Sequence, residues 1–200
     1  MALIYLSPPA EARAELETTL STIAELANHP ADSSIFPPEY ASQPTINNAY
    51  PVFFLDLHAL AQDLSITSAD ASGWRFFITY VGGLTACADV HFDATDSTFH
   101  FGEIGSSSNC IDSVSLLQRL RTELDASSPE YEVRLLTIPS LHCEFFWFAA
   151  KNRQDILVPL SPVPHFLPKE QERYLAEEIT ERLQTEAQRQ LKMLATERSE

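Results

Sequence analysis

The N-terminal part of the chain carries apolar residues at the spacing of a helix. They recur every three or four positions, which places them on one helical face. These residues are Leu16, Leu20, Ile23 and Ala27. Ser7 precedes two prolines, and proline fits the first turn of a helix because its missing N–H would have no partner there. The pattern therefore predicts a helix over residues 8–28.

The next stretch is rich in proline. Five prolines lie between residues 30 and 51, and proline breaks both helices and central strands. We therefore predict an arm or linker, whose aromatic residues Phe36, Tyr40 and Tyr50 would contact a partner. Residues 53–64 again place apolar side chains on one helical face, which predicts a short second helix.

From Trp74 onward the apolar residues alternate or run together, as they do in β-strands. Gly82 and Gly83 suit a hairpin turn because glycine adopts positive φ without steric cost. A helix is predicted at 109–124, where apolar residues return to helical spacing. The predicted strands are 74–81, 84–93, 98–104, 131–138, 141–150 and 156–160.

From Lys169 to the end, apolar residues follow one another in steps of four and three, which is typical of an amphipathic helix. The stripe consists of Leu175, Ile179, Leu183, Ala187, Leu191 and Leu194. Two interpretations stay open: the helix covers its own domain, or it docks on a partner. In the second case Leu175, Ile179 and Leu183 would form the contact.

Together these elements predict an α+β fold. Their order is helix, helix, three strands, helix, two or three strands and a long C-terminal helix. We expect an antiparallel sheet of five to six strands with helices on one face. The chain then divides into an N-terminal helix with a proline-rich arm (1–52), an α+β core (53–167) and a C-terminal amphipathic helix (168–200).

Over about residues 54–190, this order of elements is similar to that of the small acidic bacterial secretion chaperones of the type III kind. The resemblance rests on element order and acidic charge, and the arm before it departs from their compact plan. It implies a protein-binding role and assigns no site residue.

The chain is strongly acidic, with 28 acidic residues against 13 basic ones and a net charge of -15. Such a charge repels phosphate backbones and anionic lipid, so we expect no nucleic-acid partner and no membrane partner. Residues 1–72 hold nine acidic residues and one basic residue. We therefore expect a basic protein partner to meet the N-terminal third.

The cysteine count and the apolar runs bear on the compartment. Cys87, Cys110 and Cys143 are widely spaced and odd in number, which predicts buried free thiols rather than disulfides. The chain starts without a basic, apolar leader, and its densest apolar run, 145–150, is six residues long, too short for a bilayer span. We expect a cytoplasmic protein.

The strands 84–93 and 98–104 hold the clearest chemical pattern. Successive side chains of a strand point to opposite faces, so pairing Asp93 with Thr98 places His91 opposite His100. The polar face then carries Asp89, His91, Asp93 and His100, and the opposite, buried face carries Val90, Phe92, Phe99 and Phe101. Residues opposite each other are close enough for two imidazoles and a carboxylate to ligate one metal ion. A solvated sheet face shows the same alternation, so both interpretations stand.

Two functions follow from these patterns. The first is a non-enzymatic intracellular protein-interaction module, namely an adaptor, a chaperone-like protein or an inhibitor, for which we expect no cofactor. The alternative is a metal-dependent enzyme that uses the Asp/His face. A homodimer or a place in a larger complex is compatible with the first.

Overall fold

The structure, a computed structural model of the chain, describes residues 3–29, 38–62, 65–105, 108–123, 130–168 and 172–197. Within these residues the fold is α+β. The helices are α1 (Ala10–Asn28), α2 (Leu57–Ala61), α3 (Ser108–Glu123) and α4 (Ala176–Glu197). The strands are β1 (Leu3–Ile4), β2 (Thr45–Phe54), β3 (Asp70–Thr79), β4 (Thr85–Asp93), β5 (Thr98–Gly105), β6 (Tyr131–Ile138), β7 (Cys143–Ala150), β8 (Ile156–Pro159) and β9 (Tyr174–Leu175).

The strands form one mostly antiparallel sheet in the order β5-β4-β3-β2-β6-β7-β8-β9, and β1 also pairs with β6. The pairs β1–β6 and β2–β6 are parallel. The α+β class is confirmed, but the sheet is larger than the five to six strands predicted. The additional strands are β1, β2 and β9. Strands β1 and β9 have two residues each, which is too short to show a period of two.

The chain divides into two compact units. Unit 1 contains Met1–Ile4, Val52–Ala71 and Arg121–Glu200. Unit 2 contains Tyr5–Pro51 and Ser72–Leu120. Each unit has a hydrophobic core of its own.

The core of unit 1 lies under the C-terminal helix. Ile179, Leu183 and Ala187 on α4 are fully buried and pack with Phe145 and Trp147 of β7. The helix therefore covers its own unit, the first of the two interpretations that its stripe left open. It begins later than predicted because Tyr174 and Leu175 pair with β8 as a strand. Among the described residues, no helix combines the length and the apolar composition that crossing a bilayer requires.

The core of unit 2 lies between α1 and the first sheet strands. Leu16 and Leu20 of α1 pack with Ala88 and Val90, which occupy the even positions of β4. The predicted helix over 8–28 and the predicted apolar face of β4 are both confirmed. The helical spacing of α1 and the alternation of β4 thus bury their apolar faces against each other.

The proline-rich stretch is not an arm throughout. Residues 30–37 lie outside the described residues, but Thr45–Phe54 form β2, between β3 and β6 in the sheet. Pairing with β6 starts at Val52, so the missing N–H of Pro51 falls outside that ladder. The prediction that no central strand forms here was therefore wrong. The second helix is also shorter than predicted, since Asp56 caps it by accepting hydrogen bonds from the N–H groups of His58 and Ala59.

The cysteine prediction was wrong for two of the three residues. Cys87 of β4 and Cys110 of α3 form a disulfide with Cα atoms 5.8 Å apart. Only Cys143 is a free buried thiol. Since Cys87 points away from the face that α1 covers, β4 has helices on both faces rather than on one.

Candidate functional site

The hairpin of β4 and β5 has the predicted register. His91 pairs with His100, Phe92 with Phe99 and Asp93 with Thr98. The register shifts between Asp89 and Val90, so that Asp89 lies opposite Glu103 and Gly102 is the extra residue of a bulge. Local alternation was sufficient to predict the pairing from the turn to the bulge.

Asp89 is not part of an open polar face. It is 8 % exposed, and its two carboxylate oxygens accept hydrogen bonds from Nε and Nη2 of Arg75, both at 2.8 Å. Such a bidentate pair satisfies the carboxylate within the protein. The structure therefore separates Asp89 from the other predicted metal ligands.

His91 is also turned away from the predicted set. Its ring lies over Gly102, where an added Cβ would come within 2.3 Å of Nε2. The absence of a side chain at Gly102 therefore makes room for the ring. His91 is opposite His100 in the ladder, but its imidazole occupies the surface of β5 at the bulge.

The turn between the two strands brings together Asp93, Asp96 and His100, whose ligating atoms all lie within 4.8 Å of one another. Asp93 accepts hydrogen bonds from the N–H and the hydroxyl of Thr95, and Asp96 accepts them from the N–H and the hydroxyl of Thr98.

These donors lower the pKa of both carboxyls. At Asp93 the hydroxyl of Thr95 is the largest cause, and at Asp96 it is the hydroxyl of Thr98. His100 Nε2 lies 3.2 Å from Asp96 Oδ2. The three side chains are exposed, the two carboxyls are ionised in the neutral range, and the first effect of the cluster is to close the turn.

The outer edge of β5 lacks a paired strand in the part of the chain that the structure describes. β5 ends the sheet, and within the described residues no strand pairs with its outer side. The N–H of Phe101 points outward and donates to Glu15 Oε1 of α1 at 3.1 Å. Since N–H directions alternate along a strand, the N–H of Phe99 points the same way.

An aromatic pair lies beside this edge, near the turn. The rings of Phe92 and Phe99 are 5.1 Å apart, and Phe92 is 40 % exposed. The hairpin 85–105 contains four acidic residues and neither lysine nor arginine. An open strand edge, an exposed ring and a purely acidic border thus occur on one hairpin.

The residues predicted to contact a partner lie in several places. Tyr40, Tyr50, Ile179 and Leu183 are buried, so these core side chains present no surface. Leu175 is 45 % exposed, but on β9 rather than on a helix. Phe36 lies outside the described residues.

Sequence reasoning missed two contributors to this hairpin surface. Glu15 lies on the predicted helix, but its contact with Phe101 spans 86 positions and leaves no local pattern. Phe92 was assigned to the buried side by alternation, whereas it lies close to the turn and is partly open to solvent. Alternation predicts the face of a residue but not how far a covering helix reaches.

Comparison with known proteins adds no assignment. No family model, no curated protein and no solved structure matches this chain. The resemblance to secretion chaperones therefore stays a prediction.

Proposed function

We propose that this protein is a non-enzymatic protein-interaction module that adds an extended, basic segment of a partner protein to the edge of β5. The observation that carries the proposal is the outer side of β5, which no strand among the described residues pairs. Apart from the N–H of Phe101, which Glu15 already accepts, this edge offers backbone N–H and C=O groups to an added strand, and pockets between alternate side chains supply selectivity. An adaptor, a chaperone-like protein or an inhibitor would all use such a surface.

The charge of the hairpin supports a basic partner. Asp93, Asp96 and Glu103 are exposed, and the lowered pKa values of the two aspartates keep them ionised in the neutral range. Opposite charges speed encounter and reject acidic competitors, and salt weakens this effect because exposed charges are screened.

The apolar contact of the proposal is the Phe92–Phe99 pair. Exposed aromatic residues in a polar border are typical anchors of protein interfaces. Phe92 is available for such a contact because it is 40 % exposed. Burial of its ring by the partner would add affinity that salt does not remove.

A display library of random extended peptides provides the test. We expect enriched peptides to alternate apolar residues with lysine or arginine, and their affinity to fall as sodium chloride rises. The double variant Asp93→Lys/Glu103→Lys should reduce binding at least about tenfold by reversing two charges beside the edge.

The matched control is Glu25→Lys/Glu181→Lys, at exposed positions of α1 and α4, which changes the net charge by the same amount. If both variants lost binding equally, net charge alone would explain the loss, and this result would contradict a binding site on β5. Enrichment of acidic or purely apolar peptides would contradict the proposed partner.

The alternative of a metal-dependent enzyme now rests on Asp93, Asp96 and His100, which offer three ligand atoms within 4.8 Å. Elemental analysis of protein purified without metal-affinity resin separates the two functions. After incubation with each metal and removal of the excess, less than about a tenth of an equivalent of bound zinc, iron or manganese would remove the alternative. A stoichiometric metal lost in His100→Ala would favour it.

A further inference from the structure

A cavity of about 640 Å³ opens on unit 1. Its volume lies within the range typical of small-molecule sites. The walls combine an aromatic ring, Trp147, with the cations Arg134, Lys151 and Arg153. Three of the 13 basic residues of an acidic chain thus line one cavity.

Arg134 is positioned by two aromatic rings and one hydrogen bond, so its guanidinium keeps unused donors. Its Cζ lies 4.9 Å from the centre of the Phe53 ring and 4.7 Å from the Trp147 ring. Its Nε donates to Glu132 Oε1 at 2.6 Å. The terminal nitrogens Nη1 and Nη2 have no acceptor among the described residues, although three-quarters of the side chain is covered.

The carboxylates of the cavity are largely occupied. Asp155 accepts a hydrogen bond from Trp147 Nε1 at 2.7 Å and one from the N–H of Ala150 at 2.9 Å. Glu132 is paired with Arg134. Of the lining acids only Glu130, which is exposed, lacks a donor among the described residues. In formal charge the three lining acids balance the three cations, so the attraction for an anion comes from unused donors: the terminal nitrogens of Arg134 and the side chains of Lys151 and Arg153.

The turn between β7 and β8 places the other two cations. Asp155 ties this turn to Trp147, and Gln154 ties it to Glu177 of α4 at 2.9 Å. Lys151 and Arg153 lie within the turn that Asp155 closes by accepting the N–H of Ala150. Both are exposed and form no ion pair within the described parts of the chain. They are thus held at the rim with their charges available.

We propose that this cavity binds a small molecule that carries a carboxylate on an apolar or aromatic body. The two free terminal nitrogens of Arg134 match the two oxygens of one carboxylate, which is the strongest geometry for a guanidinium. Lys151 and Arg153 attract the anion to the rim, and Ile4 and Ala149 border the apolar body, with the buried Trp147 behind Arg134.

A carboxylate fits better than a phosphate. Phosphate sites commonly use the backbone of glycine-rich loops or the start of a helix. Unit 1 contains no glycine, and the backbone N–H of Ala150, at the cavity wall, is already taken by Asp155. Among the cations only Arg134 is largely covered, so one guanidinium faces the anion and a single negative charge matches it.

Titration calorimetry with phenylacetate tests the proposal on the full chain. Phenylacetamide has the same shape without the charge, and phenyl phosphate carries the competing anion. We expect saturable binding of phenylacetate and at least about tenfold weaker binding of phenylacetamide, since one charge-assisted hydrogen bond contributes that much. Tenfold tighter binding of phenyl phosphate would overturn the choice of carboxylate.

Variants locate the binding. Arg134→Gln should weaken phenylacetate at least about tenfold, whereas Arg13→Gln, on the exposed surface of α1, changes the net charge equally and should leave binding unchanged. Lys151→Gln/Arg153→Gln alters only exposed residues, so it tests the site even if Arg134→Gln does not fold. Unchanged binding in this double variant, or no heat with any probe at roughly 10 mM, would overturn the proposal, because even millimolar complexes form at that concentration.

Discussion

The two units differ in how they are held together. All five glycines and the disulfide lie in unit 2, whereas unit 1 has neither and is organised around α4, which buries Ile179, Leu183 and Ala187. Unit 2 carries eleven acidic residues against three basic ones, and unit 1 carries seventeen against ten. The charged residues of unit 2 are therefore mostly acidic, whereas those of unit 1 are closer to balance.

This difference has a physical basis. A helix with a buried stripe supplies stability by removing apolar surface from water. Unit 2 gains the same kind of stabilisation from the six buried residues of α1, and it adds a covalent bond and a close backbone approach at Gly73. Substitutions should consequently lower the free energy of unfolding for different physical reasons in the two units.

The largest effect is expected at Gly73 in unit 2. This residue has a φ of +155°, and an added Cβ would lie 2.2 Å from the backbone oxygen of Val90. Gly73→Ala should lower the free energy of unfolding by about 4 kcal/mol, because strain and overlap with backbone add up. Gly82 has a φ of +95° and open space around it, so Gly82→Ala should cost only about 1 kcal/mol. Urea unfolding measures both, and equal costs would contradict a close approach at Gly73.

Loss of the disulfide should come next. The bond joins residues 23 positions apart, so Cys87→Ala/Cys110→Ala should lower the free energy of unfolding by about 3 kcal/mol through the freedom regained by the unfolded chain. Hydrogen exchange should show the loss chiefly in unit 2.

The thiol count provides the control for that prediction. Unfolded, unreduced protein should react with one equivalent of thiol reagent, at Cys143. Folded protein should react slowly, because burial raises the pKa of Cys143 to about 12 and the thiolate is the reactive form. Three reactive thiols in the unfolded, unreduced protein would disprove the disulfide.

A smaller, pH-dependent effect is expected in unit 1. Glu186 on α4 is 6 % exposed and forms a two-point ion pair with Arg189. The hydrogen bonds from Arg189 hold the pKa of Glu186 below its ordinary value of 4.5. A depressed pKa stabilises the fold above the unfolded pKa, and this contribution disappears as pH falls through the folded pKa.

Glu186→Gln should accordingly cost about 1 kcal/mol at pH 7, a value limited by the exposure of Arg189. The difference from the parent should vanish at a pH well below 4.5. Unfolding midpoints in urea at several pH values measure this change, and a difference that persists in acid would contradict the ion pair as its cause.

The smallest effects compare one tyrosine from each unit. Tyr174 in unit 1 donates its hydroxyl to the carbonyl of Pro168 at 3.0 Å, so Tyr174→Phe should cost about 1 kcal/mol. Tyr80 in unit 2 is 3 % exposed, and its hydroxyl has no partner among the described residues. Tyr80→Phe should thus be neutral or slightly stabilising, since it removes an unsatisfied buried group. Thermal unfolding of both variants tests the contrast, which a clear cost at Tyr80 would contradict.

Much of the local structure was predictable. Residues 131–138 form the strand predicted there, and the pairs from Asp93–Thr98 to Val90–Phe101 have the predicted register. These features depend on residues a few positions apart, so the order of residues alone shows their periods. Pro51 misled the prediction because its effect depends on which edge of β2 is paired at that point.

The candidate site was predictable only in part. Alternation placed Asp93 and His100 on one hairpin face. It did not show that Arg75 forms an ion pair with Asp89, or that the ring of His91 lies over Gly102. The first contact depends on a neighbouring strand, and the second depends on a bulge. Neither leaves a periodic signal in the sequence.

The sequence by itself determined the helices, most strands, the apolar faces and the acidic charge, because each depends on residue type and on spacing within a few residues. Only the tertiary structure decided the place of β2 in the sheet, the bond between Cys87 and Cys110, the burial of Ile179 and the cavity around Arg134. These features join residues far apart in the chain. Their formation depends on which apolar faces meet and on the entropy of closing the loops between them, and neither quantity is encoded at any single position.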